Sequence, residues 1–303
     1  EQINGFTIDA GPDSLLIQKP AAVELCVELG LEAHLISTLE PRTAYIVRNG
    51  MLHALPRGSV FGIPTNLEAL LAARYLSPQA KLRMAQDLAV PPRTDKSDES
   101  VASFFRRRFG DETVDYLASP LLAGIHAGNV ERLSMHALFP RLVEAERQHG
   151  SVIRALRNRR IASASPSSTH GLFRSLTGGL QTLTNALTQA LPNTGIKNGV
   201  EVTSISGSGP FAIKCSTGEN LSVNKVIFAT PAYATSTIVR QLAPELSKLL
   251  SSIPYTSIAT IANSYPRSSI NHSLNGSGFV VPETEPDLNI AACTWISSKW
   301  PGR

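Results

Sequence analysis

Apolar and polar positions along this chain follow two rhythms, helical and alternating, and the switch between them divides it. Near the start, GFTIDAGPDSLL reads as a short strand and a Gly-Pro turn. Pro20 to Leu29 follows as a helix, with proline in its first turn and Gly30 past its end. Val23, Leu25, Val27 and Leu29 fall on more than one side of that helix, which predicts its burial. TAYIVRNGMLHALP then alternates on both sides of Asn49-Gly50, which predicts a β-hairpin. From Asn66 to Val90 the period is helical, with Leu67, Leu70, Leu71, Tyr75 and Leu76 on one face. The polar stretch PPRTDKSDES interrupts it, and helical patterns resume at Val101 and from Pro140 to His149. Asn158 to His170, rich in Ser, Arg and Pro, predicts a mobile loop.

The pattern changes at Gly171. Thr177-Gly178-Gly179 precedes a helix with Leu180, Leu183, Leu187 and Leu191 on one stripe. GVEVTSI, PFAIKCS and NKVIFATP predict three strands, separated by turns at Gly207-Ser208-Gly209 and Gly218-Glu219-Asn220. After Tyr255, SIATIANSY, SGFVVPE and NIAACTWIS offer further strands. Pattern alone predicts an α/β or α+β soluble protein with two lobes.

With 303 residues, 42% of them hydrophobic, the chain can build one large or two ordinary cores. Its 28 basic and 24 acidic residues leave a formal charge of +4. That excess suits anionic small molecules or an anionic membrane surface and is too weak to argue for nucleic acid. Cys26, Cys215 and Cys293 match no metal spacing or disulfide framework, so a reducing compartment is expected. No apolar run approaches the length of a membrane-spanning helix, and no signal peptide is visible at the start. No glycine-rich phosphate loop, H-E-x-x-H or nucleophile elbow occurs, and the seven histidines are scattered. Local spacing therefore leaves the chemistry open.

Longer blocks narrow it. In order, the chain carries GFTIDAGPDSLL, PRTAYIVRNGMLHALPRG, SFFRRRFGDETVDYLASPLLAGIHAGNVERLSMHALFPRLVEAERQHGSVI, GLFRSLTGGLQTL, NKVIFATP, SGFVVPE and CTWISSKWPGR. These resemble the flavin-dependent protoporphyrinogen and coproporphyrinogen oxidases of haem synthesis, the bacterial oxygen-using branch more than the animal one. The resemblance implies an α/β fold with α+β features, that of the amine-oxidase-like FAD-dependent oxidoreductases. A partial Rossmann-type FAD lobe would accompany a mixed-sheet substrate lobe and a helical membrane-facing lobe. By this reading residues 1–38 and 166–250 belong to the FAD-binding domain, the latter with a β-meander. Residues 39–60 form a substrate-domain hairpin, 61–165 the helical lobe and 251–303 further substrate-domain strands.

The resemblance also implies FAD as cofactor, a porphyrinogen as substrate and oxygen as electron acceptor. It implies a cytoplasmic protein held peripherally on the membrane, with no nucleic-acid partner, and it is compatible with a homodimer. The family's glycine-rich phosphate loop and its flavin-closing C-terminal segment are not found in this sequence. The expectation is thus a piece of a longer enzyme that binds FAD weakly or not at all by itself.

Site residues follow from the same blocks. Arg42 corresponds to an arginine that pairs with a tetrapyrrole propionate, a task suited to a planar guanidinium; read locally it is a surface arginine before a strand. Gly124 would set backbone carbonyls against pyrrole N–H groups, its plain alternative being a helix C-terminal glycine. Leu274 would sandwich the ring; otherwise it is a buried strand-edge leucine. Gly11, Pro12, Asp13 and Ser14 would let backbone approach the flavin, or simply form a capped strand–helix turn. Val202 would touch the adenine end through its main chain, and Ala229 and Thr230 close a strand at its ligand-facing end. No catalytic side chain is expected, because the chemistry belongs to the flavin. His126 reads as structural. Arg106, Arg107 and Arg108 read as a solvated helix face, with attraction to a membrane surface as the sharper alternative. Two rival readings are an amine-oxidase-like flavoprotein with another substrate and an inactive tetrapyrrole-binding fragment.

Overall fold

The computed structural model describes residues 2–3, 5–56, 59–60, 62–126, 128–162, 171–191 and 195–303. The chain divides into two compact units, Glu1–Ala186 with Ile258–Arg303 and Leu187–Ser257.

The first unit contains a four-stranded mixed sheet, ordered Ala292–Thr294, Gly278–Val280, Ala44–Arg48, Met51–Ala54. Gly278–Val280 runs parallel to Ala44–Arg48, with Gly278 opposite Ala44 and Val280 opposite Ile46. The Asn-Gly signal is realised: Asn49 and Gly50 have φ of 52° and 70°, and Tyr45 to Arg48 pair with Ala54 to Met51. Both positive φ values are what a two-residue hairpin turn demands. The Glu285 carboxylate caps this turn, accepting from the Asn49 and Gly50 N–H groups at 2.8 and 3.1 Å. A second, antiparallel sheet sets Phe173–Leu176 between Leu15–Leu16 and Leu35–Ser37.

Helices between Leu67 and Ala162 carry the larger core. Short polar side chains start them: Asn66, Ser77, Ser100 and Ser134 each accept a backbone N–H three residues on. The expected single helical run from Asn66 to Val90 is broken into Leu67–Ala72, Pro78–Ala85 and a turn at Gln86–Leu88. Pro78 disfavours helical backbone at Ser77, which instead caps the new helix. Leu70, Tyr75 and Leu76 are buried while Leu71 is left exposed. Phe104, Phe105 and Phe109 pack edge to face, with ring centroids 5.5 to 6.5 Å apart, and anchor this core. Arg48 at the end of its strand bonds the Glu112 carboxylate at 2.5 Å, and Glu112 also accepts from the Ser77 N–H and hydroxyl. One carboxylate thus ties the mixed sheet to the helices.

Arg106 to Arg108 correct the sequence reading, since the three lie neither on one solvated face nor free for a membrane. Arg108 is fully buried; its Nε donates to Asp87 Oδ1 at 2.6 Å. Its terminal nitrogens reach the carbonyls of Asp87, Val90 and Gly150 at 2.8 to 3.0 Å. Asp87, equally buried, also accepts from the Ser151 hydroxyl and the Ile153 N–H at 2.5 and 2.9 Å. Arg107 bridges Glu146 and Glu99, and only Arg106 pairs at the surface, with Asp111 and Glu131. Arg83 accompanies them by donating to the carbonyls of Arg106, Arg107 and Arg108, the helix's last turn. A run of three arginines looks solvated locally because its carboxylate partners lie 5 to 39 residues away.

Three other expectations are corrected. The helix Ala21–Glu28 buries only Cys26 fully and leaves Val27 exposed, so it lies at the surface. The segment from Asn158 is helical as far as Ala162; residues 163–170 lie outside the described ones. NKVIFATP and SIATIANSY form no strands, and Ile227, Ile258 and Ile261 stand exposed. A strand needs a hydrogen-bonding neighbour, and among the described residues none pairs with either stretch.

In the second unit, Val202–Ser206, Phe211–Cys215 and Asn220–Val223 form an antiparallel meander; its first two strands are those expected, while the third begins at Asn220, in the expected turn, and not in NKVIFATP. Helices Ala232–Val239 and Pro244–Ser251 pack through Ser236 and Ser247, each hydroxyl donating to the other residue's carbonyl at 2.7 and 2.8 Å.

Candidate functional site

Parallel pairing brings two of the sequence-predicted residues to one end of the mixed sheet. Arg42 precedes the Ala44–Arg48 strand and Leu274 precedes Gly278–Val280, so both lie at the N-terminal ends of paired parallel strands. Buried Thr38 holds the Arg42 guanidinium. Arg42 Nε donates to Thr38 Oγ1 at 2.8 Å, and Nε and Nη2 donate to the Thr38 carbonyl at 3.3 and 3.2 Å. Nη1 forms an ion pair with Glu40. Gly171, with φ +72°, lies so close that a Cβ there would stand 2.7 Å from Arg42 Nε and Thr38 Oγ1. A side chain at 171 would therefore displace the guanidinium.

Leu274 is half-buried in the loop ahead of its strand, with φ of 52°, a left-handed conformation uncommon for leucine. It is no strand-edge residue. Two polar ties hold the loop: the Leu274 N–H donates to His272 Nδ1 at 3.0 Å, and the Tyr45 hydroxyl donates to the Asn275 carbonyl at 2.8 Å. His272, Tyr45 and Phe279 surround Trp295 at ring-centroid distances of 4.9, 5.6 and 6.1 Å. Sequence reasoning missed this aromatic cluster, because its members come from four separate segments.

The Gly11–Ser14 turn is the second predicted element. Gly11 and Pro12 are exposed, and a Cβ at Gly11 would meet nothing within 4 Å. Backbone is thus open to a flat ring there, which fits the flavin that this turn is expected to meet, though the chain's own packing does not require glycine. Asp13 accepts from Lys299 Nζ at 2.7 Å, Trp300 Nε1 at 2.9 Å and Ser14 Oγ at 2.8 Å. Burial pushes its carboxyl pKa up; the Lys299 charge and these three hydrogen bonds outweigh it and hold the pKa below the ordinary value. Asp13 also tethers the middle strand of the second sheet, its carbonyl accepting from Ser175 Oγ at 2.8 Å. Asp9 pairs with Arg303 and accepts the Leu180 N–H at 2.9 Å. Gly179, φ +84°, allows that contact, for a Cβ would lie 2.7 Å from Asp9 Oδ1.

Lys299 joins the two elements. Its ammonium pairs with Asp13 while its carbonyl accepts the Leu39 N–H at 2.9 Å, one residue before Glu40 and three before Arg42. Asp9, Lys299, Trp300 and Arg303 carry no local signal of a site; Asp9 lies in the block GFTIDAGPDSLL and the other three in CTWISSKWPGR, both given only as a likeness.

Gly124 lies in the last turn of helix Ser119–His126, where carbonyls run out of intrahelical partners. His126 ends that helix, and its side chain is outside the described ones. Val202, Ala229 and Thr230 belong to the second unit. Val202 opens the meander opposite Cys215, Ala229 is exposed, and Thr230 Oγ1 lies 2.7 Å from Thr235 Oγ1 at the entry to helix Ala232–Val239.

With this geometry in hand, comparison with known proteins is decisive at the family level. The model of the flavin containing amine oxidoreductases matches residues 1–303. The chain belongs to that family. Among curated flavin containing amine oxidoreductase relatives, coproporphyrinogen III oxidase of Bacillus subtilis is 36% identical over 302 residues, covering 98% of this chain and 63% of that protein. Mitochondrial protoporphyrinogen oxidase of Nicotiana tabacum is 27% identical, covering 93% and 60%. A solved structure from Exiguobacterium sp. 255-15, provisionally named protoporphyrinogen oxidase, superposes with a TM-score of 0.79 at 30% identity, over 99% of this chain and 64% of that one. Reduced UDP-galactopyranose mutase, at a TM-score of 0.59 and 16% identity, shares the fold alone. The chain therefore spans less than two thirds of the length of the relatives it matches.

Proposed function

We propose that the protein containing this chain oxidises a porphyrinogen, protoporphyrinogen IX or coproporphyrinogen III, to the porphyrin in haem synthesis, with FAD as cofactor and oxygen as electron acceptor. The observation that carries this reading is the Lys299 bridge, which fastens the flavin-proximal turn at Asp13 to the loop that presents Arg42. Identity to coproporphyrinogen III oxidases over almost the whole chain supports the same substrate class.

Bound FAD would supply hydride acceptance at its isoalloxazine ring. This chain's residues do the positioning. Arg42, its guanidinium plane fixed by Thr38, receives a propionate carboxylate of the macrocycle. Leu274 covers an apolar face, and Gly124 offers backbone without a side chain in the way. Gly11 to Ser14 lie against the flavin. Apolar walls and one charged clamp suffice to orient a flat ring when the cofactor carries out the redox step. Leu71, Leu82 and Leu88 are exposed in the helical segment, a surface suited to shallow contact with a bilayer. Among the described residues no helix is long and apolar enough to cross one.

Titrating the chain with coproporphyrin III, followed by porphyrin fluorescence, tests the assignment of Arg42. Loss of a hydrogen bond to a charged group costs about 1.5 kcal/mol or more, so Arg42→Ala should weaken binding by about tenfold. Equal affinity in the two proteins would remove Arg42 from the site.

A further inference from the structure

The Arg42 guanidinium already has a carboxylate on it, supplied by the chain. We propose that Glu40 is an internal competitor for Arg42: it occupies the place a substrate carboxylate takes, and it leaves when substrate binds. The inference rests on the reading of Arg42 as the propionate clamp. Arg42 is held independently of Glu40, since buried Thr38 accepts from Nε and Nη2 and Gly171 backs the same nitrogen. Its orientation therefore survives departure of Glu40. Glu40 is held loosely by contrast. Its side chain is 66% exposed against 25% for Arg42. Among the described residues its carboxylate bonds only to Arg42, through Nη1 and, at 3.3 Å, the backbone N–H.

An exposed ion pair of this kind shifts an equilibrium by only about 1.4- to 5-fold. A carboxylate brought in on a stacked macrocycle gains from both charge and apolar contact, so it displaces Glu40. Glu40 thus lowers affinity for every carboxylate ligand by a modest factor. It also keeps the guanidinium neutralised while the site is empty.

Coproporphyrin III and its tetramethyl ester, titrated against the full 303-residue chain, provide the test. Glu40→Gln should tighten coproporphyrin III binding about two- to fivefold, leave the ester unchanged, and have no effect in an Arg42→Ala background. Should Glu40→Gln fail to fold by circular dichroism, Glu40→Ala carries the same expectation. Unchanged affinity in Glu40→Gln while Arg42→Ala weakens binding overturns the competition and leaves the Arg42 reading standing. Tightening that persists without Arg42 marks a general charge effect and also overturns it. If Arg42→Ala has no effect, or the unsubstituted chain binds no coproporphyrin III, both readings fall.

Discussion

Replacing Asp87 by alanine should destabilise the first unit severely, and the size of the effect follows from what the carboxylate holds. The substitution strips Arg108, which has no exposed surface, of its 2.6 Å partner and leaves it with Glu146 at 3.4 Å. The Ser151 hydroxyl and the Ile153 N–H lose their acceptor as well. Breaking a buried ion pair from one side costs about 3–5 kcal/mol. At roughly 2–4 °C per kcal/mol for a unit of this size, a loss near 4 kcal/mol lowers the melting temperature by about 8–16 °C. Thermal unfolding followed by circular dichroism at 222 nm reads it, because the pair joins the helices. Arg106→Ala is the internal control: its pairs with Asp111 and Glu131 are exposed, so it should cost no more than about 1 kcal/mol. Pairing Asp87→Ala with Arg108→Met, which removes the stranded charge, should recover much of the loss. A fall of under about 2 °C for Asp87→Ala, or one equal to that of Arg106→Ala, would refute the reasoning.

Two further outcomes are expected. Asp13 has a depressed folded-state pKa, so its contribution is fully present above its ordinary value of 3.8 and is lost as pH falls through the lower folded value. Asp13→Asn should flatten that acid limb of the stability–pH profile, measured by urea unfolding from pH 6 downward; an unchanged limb would contradict the Lys299 pairing. At Leu274, asparagine tolerates φ of 52° whereas a β-branched residue does not. Leu274→Val should therefore cost about 1–2 kcal/mol more than Leu274→Asn in thermal unfolding, and equal stabilities would argue against the left-handed loop.

What the sequence revealed is what local physics determines. Asn49-Gly50 announced its hairpin because both residues accept positive φ, and the first two meander strands carried their alternation and the turn between them. The break at Ser77-Pro78 is equally local, a serine cap followed by a proline in the first turn, and it overrides the hydrophobic spacing that runs through it. Partnerships across the chain were not legible. Asp13 finds Lys299 at a separation of 286 residues, and Arg108 finds Asp87 at 21, and no local pattern distinguishes a buried arginine from a solvated one before its partner is known. The apolar stretches NKVIFATP and SIATIANSY have strand-forming composition, yet composition supplies no neighbour to complete a ladder. At the site, chemistry-bearing residues came from the family likeness. The clamp that orients Arg42, by contrast, depends on Thr38 and Gly171, whose side-chain chemistry is unremarkable in isolation.

The parallel pairing of Ala44–Arg48 with Gly278–Val280 has a temporal side. Tyr45 reaches across 230 residues to the Asn275 carbonyl, so closing this end of the sheet requires synthesis to have passed Gly278–Val280. Loop-closure entropy makes such distant contacts slow to form, whereas the adjacent hairpin can zip up early on its own. The rim of the sheet that carries Arg42 and Leu274 is therefore the late-maturing part of the unit. A nascent chain halted before residue 278 would display half a rim, an open strand flank available to chaperones and to unwanted β-pairing alike.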